Sequence, residues 1–154
     1  MTALDYADIL ARIIKASSRV ELILRREYEA SVTSFVGTAQ DRQDWQQAAP
    51  YAGCTALESL EDTDRVESTV EVEIGLYDER VMQEGGIAKL AAYGVFKELV
   101  PALVRDFKEQ VLGVAPTAFV QDWRVAYSQG EFPLVTATVT LTIIEPTPVG
   151  HWRR

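Results

Sequence analysis

Glu71 and Glu73, in the stretch VESTVEVEIGLYDERV at residues 66–81, stand two residues apart in an alternating pattern. Successive side chains of a β-strand point to opposite sides, so both carboxylates fall on one face, roughly 6.5 to 7 Å apart at Cα level. Carboxyl pairs at comparable separations perform glycoside hydrolysis, which makes an acid–base pair one reading. A general acid, however, needs burial or a forced like-charge neighbour to raise its pKa. Alternation supplies the opposite environment. Val70, Val72, Ile74 and Leu76 take the core face, while Thr69, Glu71, Glu73 and Tyr77 take the other. A solvated sheet face is the favoured reading.

The remaining reactive residue types are sparse. His151, in the terminal VGHWRR, is the only histidine, which excludes a histidine metal triad and an HExxH helix. No serine lies in a GxSxG elbow. Cys54, the single cysteine, sits in YAGCTA without a cue for activation and reads as a small buried apolar residue. Gly85-Gly86 ahead of Lys89 has the glycines of a phosphate-binding turn but not GxxxxGK[ST], and reads as a hinge between a strand and a helix. The run ESLEDTD, with Glu58, Glu61, Asp62 and Asp64, lacks the alternating acids and the glycine of a calcium loop and reads as solvated. Trp45, Trp123 and Trp152 with Tyr51 and Tyr127 would suit base stacking only beside a basic groove; packing or subunit contact suits them better. The expectation is therefore no catalytic residue, no metal and no cofactor.

Composition bounds the rest. A chain of 154 residues is one domain by size and long enough to bury a substantial core, in keeping with its 47% apolar content. A net charge of −8 argues against a protein that grips nucleic acid, because affinity for phosphates comes from clustered Lys and Arg. No apolar run approaches the roughly 20 residues that span a bilayer. The opening MTALDYADILARI carries acids where a secretion signal carries bases. A soluble protein made in the cytosol is expected.

The elements that must position these residues follow from periodicity. Residues 4–16 carry Leu4, Ala7, Ile9 or Leu10, Ile13 and Ile14 at helical spacing. Residues 20–36 admit two readings: extended, with Val20, Leu22 and Leu24 on one face, or helical, given Arg25-Arg26-Glu27. Residues 37–64 read as a long polar loop with a short strand near Cys54–Leu57. Residues 84–113 form a helical region in which Leu99, Leu103, Phe107 and Val111 recur every four residues beside Phe96, Val100 and Val104. Pro101 should kink or restart that helix, and Gly113 should stop it. Two strands flank SQGEFP, the second with Val135, Ala137, Val139, Leu141 and Ile143 inward and Thr136, Thr138, Thr140 and Thr142 outward. The sum is a single α+β domain over 1–154, with helices on one face of a largely antiparallel sheet and a flexible tail at about 145–154.

This order of elements resembles the tail terminator and head-to-tail joining proteins of long-tailed bacteriophages. The resemblance rests on the helix LDYADILARII, the polar middle stretch, the strand VESTVEVEIGLYDERV, the helix IAKLAAYGVFKELVPALV and the final hairpin ending PLVTATVTLTII. It spans nearly the whole chain and carries no short motif. It implies a structural subunit without turnover that assembles into a ring, commonly a hexamer, in the virion tail or neck after synthesis in the host cytoplasm. Its partners would be the tail tube protein and the capsid connector proteins, with DNA passing through unbound. Residues 37–64 and 145–154 would supply contacts, with Glu71, Glu73, Glu58, Glu61, Asp62, Asp64, Trp152, Arg153 and Arg154 at interfaces or the lumen. The alternatives are a small-ligand or enzymatic domain using the acidic strand face, and an assembly adaptor or chaperone that leaves the particle.

Overall fold

The computed structural model describes residues 1–37 and 48–147. Helix α1 (Ala3–Ala16) buries Tyr6, Ala7, Leu10, Ile13 and Ile14 on one face. Ser17 ends it and caps the next helix, α2 (Ser18–Tyr28), accepting a hydrogen bond from the Val20 amide at 3.2 Å. That cap, with the Glu21–Arg25 ion pair one turn apart, settles the open reading of residues 20–36. Helix comes first, and only Thr33–Val36 is extended, as β1.

Strands β2 (Tyr51–Glu61) and β3 (Arg65–Tyr77) follow, so the short strand expected near Cys54–Leu57 within the polar stretch 37–64 extends to eleven residues. A bulge between Ala56 and Glu58 breaks its alternation, which is why it reads as irregular. The short strands β4 (Val81–Glu84) and β5 (Ile87–Leu90) precede α3 (Ala91–Val114), and β6 (Phe119–Glu131) and β7 (Leu134–Pro146) complete the order. Residues 145 and 146, expected in the tail, thus belong to β7; 38–47 and 148–154 lie outside the described residues.

The five-stranded sheet runs β1-β2-β3-β7-β6, antiparallel except for β1 beside β2. β4 and β5 form a separate two-stranded sheet. α1 lies over β1, β2 and β3, α3 reaches β5, β6 and β7, and α2 packs on α3. Val70, Val72, Ile74, Leu76, Val135, Ala137, Val139, Leu141 and Ile143 are buried beneath these helices, and so is the predicted stripe of Phe96, Leu99, Val100, Leu103, Val104, Phe107 and Val111. Pro101 does not restart α3, which runs through it unbroken. Both Pro101 and Lys97 are exposed, so the carbonyl left without its amide partner faces water. One polar knot joins the helices. Buried Asp106 on α3 accepts from the Ser17 hydroxyl and from Arg19 at 2.6 Å.

Candidate functional site

The face of the sheet away from the helices carries the residues that first suggested chemistry. Register places Gly53, Glu73, Thr138 and Ala126 in one row across the strands, and Thr55, Glu71, Thr140 and Arg124 in the next. Glu71 and Glu73 are half-buried, as are the four threonines of β7. The Tyr51 hydroxyl donates to Glu73 at 2.7 Å, and the Tyr51 ring stacks on Phe35 with centroids 5.8 Å apart. Burial, with the Glu73 carboxylate beside it, pushes the Tyr51 phenol well above its usual value. The ring lies across Gly75, where a Cβ would stand 2.0 Å from it. Glu73 is thus the acceptor that lets a tyrosine lie flat on an otherwise wet face. The carboxylates face half-open solvent at Cα positions two residues apart on one strand. Among the described residues nothing around them builds the apolar enclosure of a general acid.

The acidic run forms the β2–β3 turn. Glu58, Glu61, Asp62 and Asp64 are all exposed there. The Asp62 amide donates to the Arg65 carbonyl at 2.8 Å, and the Asp62 carboxylate accepts from the Thr63 amide at 2.7 Å. Leu57, the bulge residue, and Leu60 lie exposed beside the acids. Among the described residues no group of three or more His, Cys, Asp or Glu is placed to hold a metal ion. Cys54 is fully buried on the core side of β2, and burial pushes its thiol up to about 12, as an inert packing residue requires. Trp45, His151, Trp152, Arg153 and Arg154 lie outside the described residues.

Sequence reasoning missed an exposed hairpin arm. Gly85 and Gly86 do not hinge a strand to a helix: they are the turn of the β4–β5 hairpin, with φ of 59° and 79°. Positive φ at both central residues fits a hairpin turn whose twist matches its strands, and the Gly-Gly pair was the available signal. Val81, Met82 and Ile87 are 54%, 56% and 61% exposed, and within the hairpin only Leu90 is partly covered.

The base of this arm is held firmly. Buried Asp78 accepts from Arg80 Nε and Nη2 at 3.0 and 2.9 Å and from the Tyr28 hydroxyl at 2.8 Å. Arg80 also stands over the Tyr28 ring, 5.6 Å from its centroid. Burial would raise the Asp78 carboxyl, but the Arg80 and Tyr28 hydrogen bonds outweigh it and hold the group below the usual carboxylate range. Between the arm and α3 lies an open groove of about 660 Å³, whose lining includes Arg26, Met82, Tyr93, Lys97 and Glu98.

The outer edge of the sheet is exposed as well. β6 pairs with β7 on one side, and Phe119, Trp123 and Tyr127 stand 47%, 39% and 53% exposed along it. Tyr127 keeps a contact with the body, its ring 6.0 Å from Phe96 and 6.2 Å from Tyr93. No protein-family model matches this chain, and no curated protein matches its sequence.

Proposed function

We propose that this chain is a ring-forming structural subunit of a phage virion, a tail terminator or neck protein that sits at the head-proximal end of the tail and joins it to the capsid connector. The observation that carries the reading is the β4–β5 arm. Its base is pinned by a buried carboxylate, Val81, Met82 and Ile87 stand in solvent, and only Leu90 at its root packs against the core. An arm whose exposed apolar side chains do nothing for its own core is suited to a neighbour. The order of elements that resembles the phage proteins supplies the kind of neighbour, namely further copies of itself and the tail tube.

In this reading the subunit performs no turnover. Its open face, with Glu71 and Glu73, borders a lumen that repels phosphate, so DNA passes without being held. Electron microscopy of the purified protein, paired with light scattering, tests the assignment. Closed annular particles at a multiple of the 17.2 kDa chain are expected. A monomer at every concentration, with no annuli on purified tail tubes, would sink it. Absence from purified virions despite a requirement for tail joining would select the assembly-adaptor reading instead.

A further inference from the structure

β6 is the longer edge of the five-stranded sheet, thirteen residues against the four of β1. Its inner side pairs with β7, and among the described residues no strand pairs with its outer side. Backbone amides and carbonyls of an antiparallel strand point alternately to its two sides, so about half of those of β6 face outward. An edge of that length is a template for a further strand unless charge or shape blunts it. From Phe119 to Ser128 the strand carries one acid, Asp122, one base, Arg124, and no lysine, which makes it a neutral stretch in a chain of net −8. Residues 121–128 are exposed except Val125. Among the described residues neither Asp122 nor Arg124 makes an ion pair or a side-chain hydrogen bond.

The order of these residues complements itself. Antiparallel pairing of two β6 strands about Trp123 sets Asp122 of each copy opposite Arg124 of the other, and the two-fold symmetry of such a pair makes the ion pair twice. Asp122 and Arg124 share the open face, in the rows of Thr142 and Thr140, so both ion pairs stand on one side of the joined sheet. On the helix side, in the row of Leu141, Trp123 meets its own copy. The bulge at Gln121 places two residues against one, which then brings Val120 opposite Val125 and Phe119 opposite Ala126. Apolar side chains thus meet apolar ones and each charge meets its opposite. Moving the centre to Val125 loses this match, because Asp122 then faces Ser128 and Arg124 faces Ala126.

We propose that two copies of the chain join edge to edge through β6, as a two-fold antiparallel pair centred on Trp123. The occupant of the edge is a second copy, and the two five-stranded sheets become one of ten strands. This contact closes at two copies and uses neither the arm nor the acidic turn. It goes beyond the ring reading and stands or falls separately from it.

Two reversals test the pairing, Asp122→Arg and Arg124→Asp. Both side chains are exposed, so each variant should keep the parent's circular dichroism. In sedimentation of the full chain the parent should appear at an even multiple of the 17.2 kDa chain, two copies where no ring has formed. Each reversal alone should weaken the pairing about tenfold or more, because like charges then stand opposite at both positions. The equimolar mixture should recover it, since one strand then carries two bases and the other two acids. Register is read by cross-linking. Opposed residues of an antiparallel pair stand roughly 4.5 to 5.5 Å apart at Cα level, within reach of a disulfide. Trp123→Cys should therefore oxidise to a linked dimer while Ala126→Cys, opposite Phe119 of the second copy, should not; Cys54 is fully buried and takes no part. A parent that stays monomeric, reversals that pair as the parent does, a mixture that stays apart, or linking at 126 and not at 123 would each overturn the proposal. Annular particles that survive both reversals leave the ring reading standing without this contact, whereas cross-linked dimers that never form annuli leave the contact standing without the ring.

Discussion

The helix-covered face of the sheet and its open face are made from alternate residues of the same strands, yet they obey different rules. Beneath α1 and α3, Val70, Val72, Val135, Ala137, Val139 and Leu141 are wholly shielded. One residue away, Glu71, Thr138 and Thr140 remain half-open to water. The covered face tolerates little polarity, and its exception is instructive: Ser68 is fully buried there, and its hydroxyl finds no partner among the described residues. The open face buries apolar side chains at its two ends, Ile144 in the row of Glu67 and, in the opposite corner, Tyr51 and Leu134 with Phe35 packed against them. That corner is possible because Gly75 has no side chain and Glu73 accepts the phenol. The difference teaches that the Glu/Thr pattern is a solvation boundary, and that its local breaches each need a specific partner.

The contrast can be broken most severely from the covered side. Phe107→Ala removes a fully buried ring and should lower stability by about 3–5 kcal/mol, read as a shift in the urea midpoint. A shift within error would mean that the α3 stripe is not the core. Next in size is Gly75→Ala on the open face, where the new methyl displaces the Tyr51 ring at a cost of about 1–3 kcal/mol. Combining it with Tyr51→Ala should recover part of that loss, and strict additivity would show that the two positions are not in contact. Ser68→Ala should raise stability by about 1 kcal/mol, since a buried hydroxyl without a partner is expensive to desolvate. Destabilisation by that change would reveal a partner for the hydroxyl. The smallest effect belongs to Glu71→Gln with Glu73→Gln, expected within about 0.5 kcal/mol because the amide oxygen at 73 still accepts from Tyr51. A large loss there would mark these carboxylates as structural.

Legibility followed periodicity. β3 and β7 were readable because the unbroken alternation of residues 68–74 and 135–143 has only one sensible placement against a core. α1 and the α3 stripe were readable for the same reason at the helical period. β2 was readable only as a short strand near Cys54–Leu57, because the extra residue at Leu57 shifts the phase midway and sends both Leu57 and Leu60 to the exterior. β4 and β5 escaped because four-residue strands give too few positions for a period: Val81 read as the end of the preceding strand and Ile87 as the start of the following helix. Of the candidate site, the acidic turn and the wet face were visible in the residues. The arm was not, and neither was Asp106, whose partner Ser17 lies 89 residues earlier in the chain.

The ladder between β3 and β7 pairs thirteen residues from Arg65–Pro146 to Tyr77–Leu134 without a shift, whereas its flanking antiparallel ladders each slip at bulges. β3 also leads directly from the acidic turn to the base of the arm. A pull applied between those two ends therefore runs along the backbone of β3, with β7 lying beside it as a splint. The hydrogen bonds of an antiparallel pair stand across the strands, so such a load is borne by the covalent backbone of β3 and peels none of the thirteen pairs open. The subunit is mechanically strongest along the line joining its two unlike ends.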